Sequence, residues 1–421
     1  MNDTDLIIGA GITGLSYARF LQGRTFRILE RAATIGGYAR TTRRNGFVWD
    51  YSGHFFHFQD NDIERMVMRH MPQGEVLTVN KVTHIKYGDR LVDFPFQKNI
   101  HQLPQQEFID CLYDLFTAPK ADYGTFQEML YCKFGRAISE KFLIPYNSKL
   151  YACDLNLLDK DAMGRFFPYA SPEEIVRNFR HSDNGGYNAT FEYPRGGAIE
   201  YVRSLAQGLP PEAISTRRGV AAIDPQRRTV TLTDGTTLPY GRLVSTIPFP
   251  HLMRMTGLPH DPALFTWNKV LVFNLGFERK GLNTDDHWIY FPERKYPFYR
   301  VGFYDNILQG DRMSLYVEIG FAKDDKIDAH ALLPQVLQGL REAGILQEGN
   351  QFIDHEVILM NPAYVHITQK SVEAVRGLKE TLAQHGIYSI GRYGSWTYCS
   401  IEDNIKEARA LAAALHPAAA R

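Results

Sequence analysis

Two histidines three positions apart, His54 and His57, lie among aromatic residues in the segment DYSGHFFHF. Imidazoles at this spacing could bind a metal ion, act as a base or pack against a flat cofactor. Zinc sites use three or four ligands, and no third ligand accompanies this pair in the sequence. The four cysteines form no CxxC pair either, so no metal site is predicted, and the other two interpretations stay open.

A second chemically informative segment begins the chain, where Gly9, Gly11 and Gly14 form GxGxxG directly after the apolar run TDLII. The first glycine permits a tight turn, the second lets a pyrophosphate approach the backbone, and the third lets a helix pack on the strand. Glu30 ends the next predicted strand, where a carboxylate can bind ribose hydroxyls. A plain glycine turn does not account for the strand, the helix and the acid together, so dinucleotide binding is predicted.

The glycine pattern continues with Gly36 and Gly37, followed by Arg40 and Thr41. This continuation separates FAD enzymes of the glutathione-reductase-like group from NAD dehydrogenases. Together the motifs resemble the superfamily of flavoprotein amine oxidases and UDP-galactopyranose mutases, which implies bound FAD. By this resemblance the cofactor would be held by residues from both ends of the chain, namely Gly9, Gly11, Thr13, Gly14, Glu30, Arg31, Gly37, Tyr38, Ala39, Arg40, His54, Val220, Gly391, Arg392 and Ser400.

Five further segments resemble the mutases of this superfamily, in the same order and spacing over nearly the whole chain. They are FPFQKNI (94–100), PYNSKLYA (145–152), GYNATFEYPRGG (186–197), YPFYRVGFYDN (296–306) and GIYSIGRYGSWTY (386–398). The match is closer to the eukaryotic-type mutases, although this chain is shorter. The resemblance implies a pyranose/furanose mutase, an isomerase of nucleotide sugars that works without net redox change through an adduct between the sugar and N5 of reduced flavin.

The same resemblance implies the enzyme's setting. Its substrate would be a nucleotide-diphosphate sugar of the UDP-galactose type, and its product a furanose used for cell-surface polysaccharide. NAD(P)H is the reductant that the resemblance implies, and a homodimer is an arrangement that it allows.

The resemblance also assigns roles outside the FAD motifs. Arg165 and Arg300 match two arginines that clamp the diphosphate, and planar guanidinium groups suit phosphate oxygens. Tyr364 and Tyr398 match tyrosines that hydrogen-bond the same phosphates. In the mutases a GGHxxH loop passes along the flavin. Here the loop reads SGHFFH, which puts His57 near flavin N5, where an imidazole could tune or relay protons, and gives the other histidine a structural role.

A third set of residues is expected around the sugar and the base. Asn188 matches an asparagine near the sugar, and Gln97 and Asn147 match polar residues at the nucleotide end. Tyr151 stands where the family usually has Trp, and Phe94 replaces a Tyr in the same region. These departures predict altered recognition of the base, so the identities of nucleotide and hexose stay open.

An α/β fold must position these residues, because a strand–turn–helix–strand unit carries the dinucleotide motif. We predict a Rossmann-like FAD-binding domain of the GR2 type with an inserted helical domain and an antiparallel β-sheet domain. The FAD-binding domain would be discontinuous, over 1–75, 186–250 and 370–421. Helical periodicity, as in QQEFIDCLYDLF, predicts a substrate-binding domain over 98–185. Alternating segments such as KVLVFNLGFE predict the sheet domain over 76–97 and 251–369.

The composition excludes several classes of protein. The 47 basic and 47 acidic residues balance, so nucleic acid is not an expected partner. No segment has the length and polarity of a membrane span or signal peptide, and isolated cysteines fit a cytoplasmic location. Two other functions stay open. A FAD-dependent oxidase or desaturase acting on an amine or carbocycle would consume oxygen in turnover, and a non-catalytic FAD-binding scaffold would not need Arg165 or Arg300.

Overall fold

The computed structural model of the chain describes residues 4–21, 23–186 and 189–417. Its strands are β1 (Asp5–Ile8), β2 (Phe26–Leu29), β3 (Thr41–Arg44), β4 (Phe47–Asp50), β5 (Val76–Asn80), β6 (Thr83–Tyr87), β7 (Arg90–Asp93), β8 (Thr190–Pro194), β9 (Ile214–Ser215), β10 (Val220–Asp224), β11 (Thr229–Leu232), β12 (Thr237–Pro239), β13 (Arg242–Ser245), β14 (Asn268–Phe277), β15 (Trp288–Tyr290), β16 (Arg300–Phe303), β17 (Ser314–Ala322), β18 (Phe352–Met360) and β19 (Ile387–Ser389). Its α-helices are α1 (Ile12–Phe20), α2 (Asn61–Met68), α3 (Gln105–Phe116), α4 (Phe126–Ile138), α5 (Ile144–Tyr151), α6 (Pro172–Asn178), α7 (Ile199–Ala206), α8 (Phe249–Thr256), α9 (Tyr304–Leu308), α10 (Ala329–Glu342), α11 (Gln369–Gln384), α12 (Gly391–Gly394) and α13 (Ile401–Leu415).

A five-stranded parallel sheet, in the order β19-β13-β1-β2-β9, carries the N-terminal motif. All four residues of β1 are buried, because β1 lies between two parallel neighbours and both faces of the sheet are covered. Apolar side chains of α1, α7 and α13 pack on one face, and those of α8 and α11 pack on the other. The alanines that the sequence places along α13, such as Ala408 and Ala412, are buried in its contact with α1.

A seven-stranded sheet, in the order β18-β14-β17-β16-β15-β6-β7, forms the second layer. Its long strands β14 and β17 pair in antiparallel register, and only the β15–β6 pair is parallel. On one face Phe273 and Leu275 pack with Val336 and Leu340 of α10. The other face packs against the helical layer that contains α3, α4 and α5, so the sheet separates two apolar cores.

The predicted α/β class is confirmed. The strands of the parallel sheet come from three stretches that lie inside the segments predicted to bind FAD. β5 differs from its expected grouping: it pairs with β8 in antiparallel register and does not join the seven-stranded sheet. Alternation of side chains indicates a strand but not its partner, so the sequence could not reveal this pairing, and the domain boundaries stay a prediction.

None of the helices in the described part of the chain is long and apolar enough to cross a membrane.

Candidate active site

A cavity of about 1450 Å³ lies where the carboxyl ends of β1 and β2 face the seven-stranded sheet and α5. Ligands of open parallel sheets bind at this end of the strands. The volume exceeds the 300–1,000 Å³ or so that is typical of a site for one small molecule, so the cavity has room for two ligands. The described residues that the sequence assigned to cofactor, substrate or catalysis all line it, with four exceptions: Gly14, Gly391, Gln97 and Tyr151.

The glycine motif forms a backbone cradle at one end of the cavity. A Cβ atom on Gly9, whose φ is 104°, would lie 2.3 Å from Oγ1 of Thr246, and one on Gly14 would lie 2.0 Å from the carbonyl oxygen of Gly9. These contacts exclude side chains and let α1 begin directly after β1. A Cβ on Gly11 would instead have Gly37 Cα as its nearest neighbour, at 3.8 Å. The space beside Gly11 therefore suits a phosphate at the N-terminus of α1.

Two residues of opposite charge, Glu30 and Arg40, line the cradle. The Glu30 carboxylate is 7% exposed and accepts hydrogen bonds from Ala10 N at 2.9 Å and Ala32 N at 2.8 Å, which hold it at the end of β2. Arg40 Nε is buried and has no hydrogen-bond partner among the described residues. A buried cationic donor without an acceptor suits a phosphate oxygen. The residues present therefore fit a pyrophosphate dinucleotide such as FAD, and Arg31, Tyr38, Ala39 and Val220 line the same cavity.

The C-terminal segment closes the wall beside this cradle. A Cβ on Gly391, whose φ is 87°, would lie 2.6 Å from Oγ1 of Thr13. Thr13 Oγ1 donates to Asn404 Oδ1 at 3.0 Å, and the backbone N–H of Arg392 donates to the same oxygen at 2.7 Å. Ser400 caps the N-terminus of α13. The first and last segments of the chain thus form one continuous surface of the cavity.

His54 and His57 both line the cavity, and the Nδ1 atom of each faces a backbone carbonyl. The distances are 3.1 Å from His54 to Ser52 O and 2.8 Å from His57 to Thr190 O. A carbonyl only accepts, so these contacts assign the proton to Nδ1 and leave the lone pair on Nε2. Burial lowers the pKa of His54 to about 4 and also lowers the pKa of His57, which keeps both imidazoles neutral. No group of His, Cys, Asp or Glu within the described ranges could hold a metal ion.

Arg300 begins β16 and lines the cavity in a buried ion pair. Its Nε and Nη2 donate to the two oxygens of Glu318 at 2.7 and 2.8 Å, and the Glu318 side chain is 0% exposed. The guanidinium also lies 5.7 Å from the ring centroid of Tyr316. Burial opposes its charge, but the Glu318 carboxylate raises the pKa of Arg300 above its ordinary value. Arg300 is therefore a fixed cation. Its Nη1 makes no hydrogen bond to a described residue.

Arg392 packs against the two predicted phosphate-binding tyrosines. Its Cζ lies 4.5 Å from the ring centroid of Tyr398 and 5.4 Å from that of Tyr364, and the two rings stack at 5.9 Å. Burial raises the pKa of Tyr364, so its hydroxyl stays a donor. No carboxylate of the described residues pairs with Arg392, whose Nη1 donates to Cys399 O at 3.2 Å. Cationic and hydroxyl donors therefore line one wall of the cavity.

Arg165 approaches the cavity from the helical layer and is more exposed than Arg300. Its Nη2 donates to both oxygens of Asp403 at 2.7 and 2.8 Å, with the two side chains 46% and 28% exposed. The neighbouring Phe166 ring contacts Tyr398 edge to face at 5.2 Å. The two predicted clamp arginines thus line one cavity, each paired with an acid that the sequence analysis did not identify.

The predicted substrate residues fall into two groups. Phe94 and Asn147 line the cavity. Gln97 and Tyr151 are 0% and 1% exposed behind its wall, where Gln97 Nε2 donates to Pro168 O. Their contact with substrate stays a prediction, and Asn188 lies outside the described residues.

Three further functional candidates were missed from the sequence. Glu318 interrupts the apolar alternation of MSLYVEIGF, and a lone acid inside a buried strand is a signal that could have identified it. Asp403 forms a capping box with Ser400, which hid its contact with Arg165. Lys81 lines the cavity, with its Nζ 5.3 Å from the ring centroid of Phe94, and burial lowers its pKa to about 8.

Comparison with known proteins agrees with this geometry. Residues 12–416 match the family described as flavin containing amine oxidoreductase. A structure of reduced UDP-galactopyranose mutase is similar, with a TM-score of 0.90 and 27% identity over 100% of this chain and 95% of the other. Two more structures share the fold. A putative protoporphyrinogen oxidase from Exiguobacterium sp. 255-15 has a TM-score of 0.76 and 17% identity, and each chain is covered to 99%. A CLA-producing fatty acid isomerase from P. acnes has a TM-score of 0.67 and 12% identity, again with 99% of each chain covered.

The family match spans nearly the whole chain, and the cradle, Glu30 and Arg40 fit a flavin dinucleotide. The chain is a flavoenzyme that belongs to the flavin containing amine oxidoreductase family.

Proposed function

We propose that this flavoenzyme is a FAD-dependent pyranose/furanose mutase of a nucleotide-diphosphate sugar, similar to UDP-galactopyranose mutase. The observation that carries the proposal is the wall formed by Arg300, Arg392, Tyr364 and Tyr398 in the same cavity as the dinucleotide cradle. Such a concentration of donors suits a diphosphate, whereas amines and carbocycles offer nothing for it to bind. The likeness to reduced UDP-galactopyranose mutase supports the same assignment.

Bound reduced FAD would supply a nucleophilic N5 atom to the anomeric carbon. The chain's own residues bind and stabilise the departing diphosphate. Arg300, held by the buried Glu318, provides a positive charge that does not reorganise as negative charge grows on the phosphate. Tyr364 lies in the same wall of the cavity, and because burial raises its pKa it remains a hydroxyl donor. In the proposed reaction the same diphosphate leaves and returns. The site therefore needs donors for this group and needs no binding site for an electron acceptor.

His57 is proposed to act beside the flavin. Because its Nδ1 faces the carbonyl of Thr190, its Nε2 can accept a proton from a sugar hydroxyl that moves during ring closure. The lowered pKa of His57 favours the neutral form that this role needs. Phe94 and Asn147 would contact the nucleotide or sugar elsewhere in the cavity.

The decisive experiment uses purified enzyme with its bound flavin identified after denaturation. Chemically reduced enzyme is incubated with UDP-galactofuranose and with a panel of other furanose nucleotide sugars, and pyranose products are measured. We expect conversion by reduced enzyme and none by oxidised enzyme, with NADH and NADPH compared as reductants. Absence of FAD, or no conversion of any member of the panel, would refute the proposal.

An amine oxidase or desaturase is the alternative that the family name favours. It predicts oxygen consumption, or reduction of another acceptor, in step with substrate loss. A mutase predicts turnover without either. We further propose that the enzyme acts in the cytoplasm, as a homodimer, and supplies furanose donors for cell-surface polysaccharide.

A further inference from the structure

Ser52 adopts a backbone conformation that its residue type disfavours. Its φ is 101°, a region where residues other than glycine are uncommon because Cβ crowds the backbone. The mutase loop has glycine at this position, and the chain has serine instead. Strain of this kind persists where the surroundings hold it in place, and it often marks a function.

The Ser52 hydroxyl reaches the ion pair that fixes Arg300. Ser52 is 5% exposed, and its Oγ donates to Oε1 of Glu318. The same oxygen accepts from Arg300 Nη2 at 2.8 Å, and the other oxygen accepts from Arg300 Nε at 2.7 Å. Three donors therefore hold the fully buried carboxylate, and they fix the plane in which the guanidinium lies.

The backbone of the same residue reaches the flavin side of the cavity. The Ser52 carbonyl accepts from His54 Nδ1 at 3.1 Å, which fixes the orientation of that imidazole. The next residue must be glycine, because a Cβ on Gly53 would lie 2.7 Å from the hydroxyl of Tyr316. The positive φ at Ser52 thus lets one residue bind the flavin-side loop through its carbonyl and the Arg300 pair through its hydroxyl.

We propose that Ser52 is a positioning residue that sets the Arg300 guanidinium for the diphosphate and couples it to the loop containing His54. The inference rests on the proposed function, because it gives Arg300 a phosphate to bind. The hydroxyl and the backbone strain have separable consequences. The hydroxyl governs affinity for the diphosphate, and the positive φ governs stability.

Two substitutions separate these consequences. Ser52→Ala removes the hydroxyl and keeps the strained φ, whereas Ser52→Gly removes the hydroxyl and relieves the strain. In the flavin-loaded protein we expect both variants to bind UDP roughly tenfold more weakly, the scale of one hydrogen bond to a charged group. We expect the thermal midpoint of the glycine variant to exceed that of the alanine variant. Ser139→Ala removes a buried hydroxyl that has no partner among the described residues, and it should leave UDP affinity unchanged.

The control for a merely structural role is a double-mutant cycle. With Arg300→Lys already present, the fork on Glu318 is gone, so Ser52→Ala should weaken UDP binding by less than twofold. Calorimetry with UDP on all variants tests this. Unchanged UDP affinity in both Ser52 variants, or an undiminished loss in the lysine background, would overturn the inference while leaving the proposed function intact. A wild-type protein that binds none of UDP, GDP and dTDP would overturn both.

Discussion

Replacing Arg300 by lysine separates the geometry of the proposed diphosphate site from its charge. Lysine keeps a cation opposite Glu318 but exchanges the two bonds at 2.7 and 2.8 Å for contacts from a single ammonium. Alanine would leave a carboxylate of 0% exposure unpaired and cost about 3–5 kcal/mol of stability. Lysine should cost only about 1 kcal/mol, the net value of one hydrogen bond. The free-energy loss in kcat/KM should exceed this loss of stability and correspond to about a 10²-fold lower kcat/KM. The reason is that the preorganised donors would no longer match the departing phosphate of the proposed reaction.

The assay combines urea unfolding with steady-state kinetics on reduced enzyme, and bound FAD is measured in each preparation. Arg43→Lys is the matched control, because Arg43 pairs with Glu200 at 2.9 Å outside the cavity. We expect the control to keep normal kcat/KM and Arg300→Lys to keep normal FAD content. If Arg300→Lys retained wild-type kcat/KM, the planar diphosphate contact would be refuted. If its loss in stability matched its loss in kcat/KM, the residue would be structural.

Three further predictions follow from individual side chains. Arg165→Ala should change the free energy of unfolding by less than about 1 kcal/mol, because its pair with Asp403 is partly exposed. The variant should still lower kcat/KM while keeping a normal FAD content. Unchanged kinetics would remove Arg165 from the site. Tyr151→Phe should be neutral or slightly stabilising in thermal unfolding, because the buried hydroxyl of Tyr151 has no partner among the described residues. Tyr151→Trp should be destabilised by about 1–3 kcal/mol, because the larger ring overpacks the site. Burial depresses the pKa of folded His54 to about 4 from an ordinary 6.5, so its neutral form stabilises the fold above pH 6.5 and this contribution is lost as the pH falls towards 4. His54→Asn should therefore flatten the fall in stability over that range, and identical pH profiles for variant and wild type would contradict the assignment.

The glycine motif was predictable because backbone geometry alone demands it. Gly9 and Gly14 lie where a Cβ would strike Thr246 or the chain itself, so the residue type reports the structure directly. Strand, helix and acid follow in fixed order within one local unit, and local order is what a sequence records best. The same reasoning explains why the α/β class followed from the sequence while the pairing of β5 with β8 did not. That pairing joins segments more than a hundred residues apart, and no residue type marks it.

Ion-pair partners were the largest gap in the predicted site. The motifs identified Arg300 and Arg165, but their acids, Glu318 and Asp403, come from other elements of the fold. Neither acid lies at a spacing that local rules would connect to its arginine. Likewise Gln97 matches a family position, yet its side chain lies behind the cavity wall and bonds a backbone carbonyl. Burial and long-range charge pairing depend on the assembled fold, so a motif can specify a residue without specifying its environment.

The two arginine pairs differ in burial, and this difference gives the two arginines different roles in the proposed site. Arg300 and Glu318 are buried, so separating them would leave two uncompensated charges at low dielectric, and the pair stays intact while ligand binds. Arg165 and Asp403 are 46% and 28% exposed, and such a pair is worth about 0–1 kcal/mol. On the proposed function, a diphosphate can therefore replace Asp403 as the partner of Arg165 at little cost, but it cannot replace Glu318. The proposal then predicts that binding energy from the phosphates is gained at Arg165 when the ligand arrives, whereas Arg300 is already set for the charge that develops as the bond to the sugar breaks.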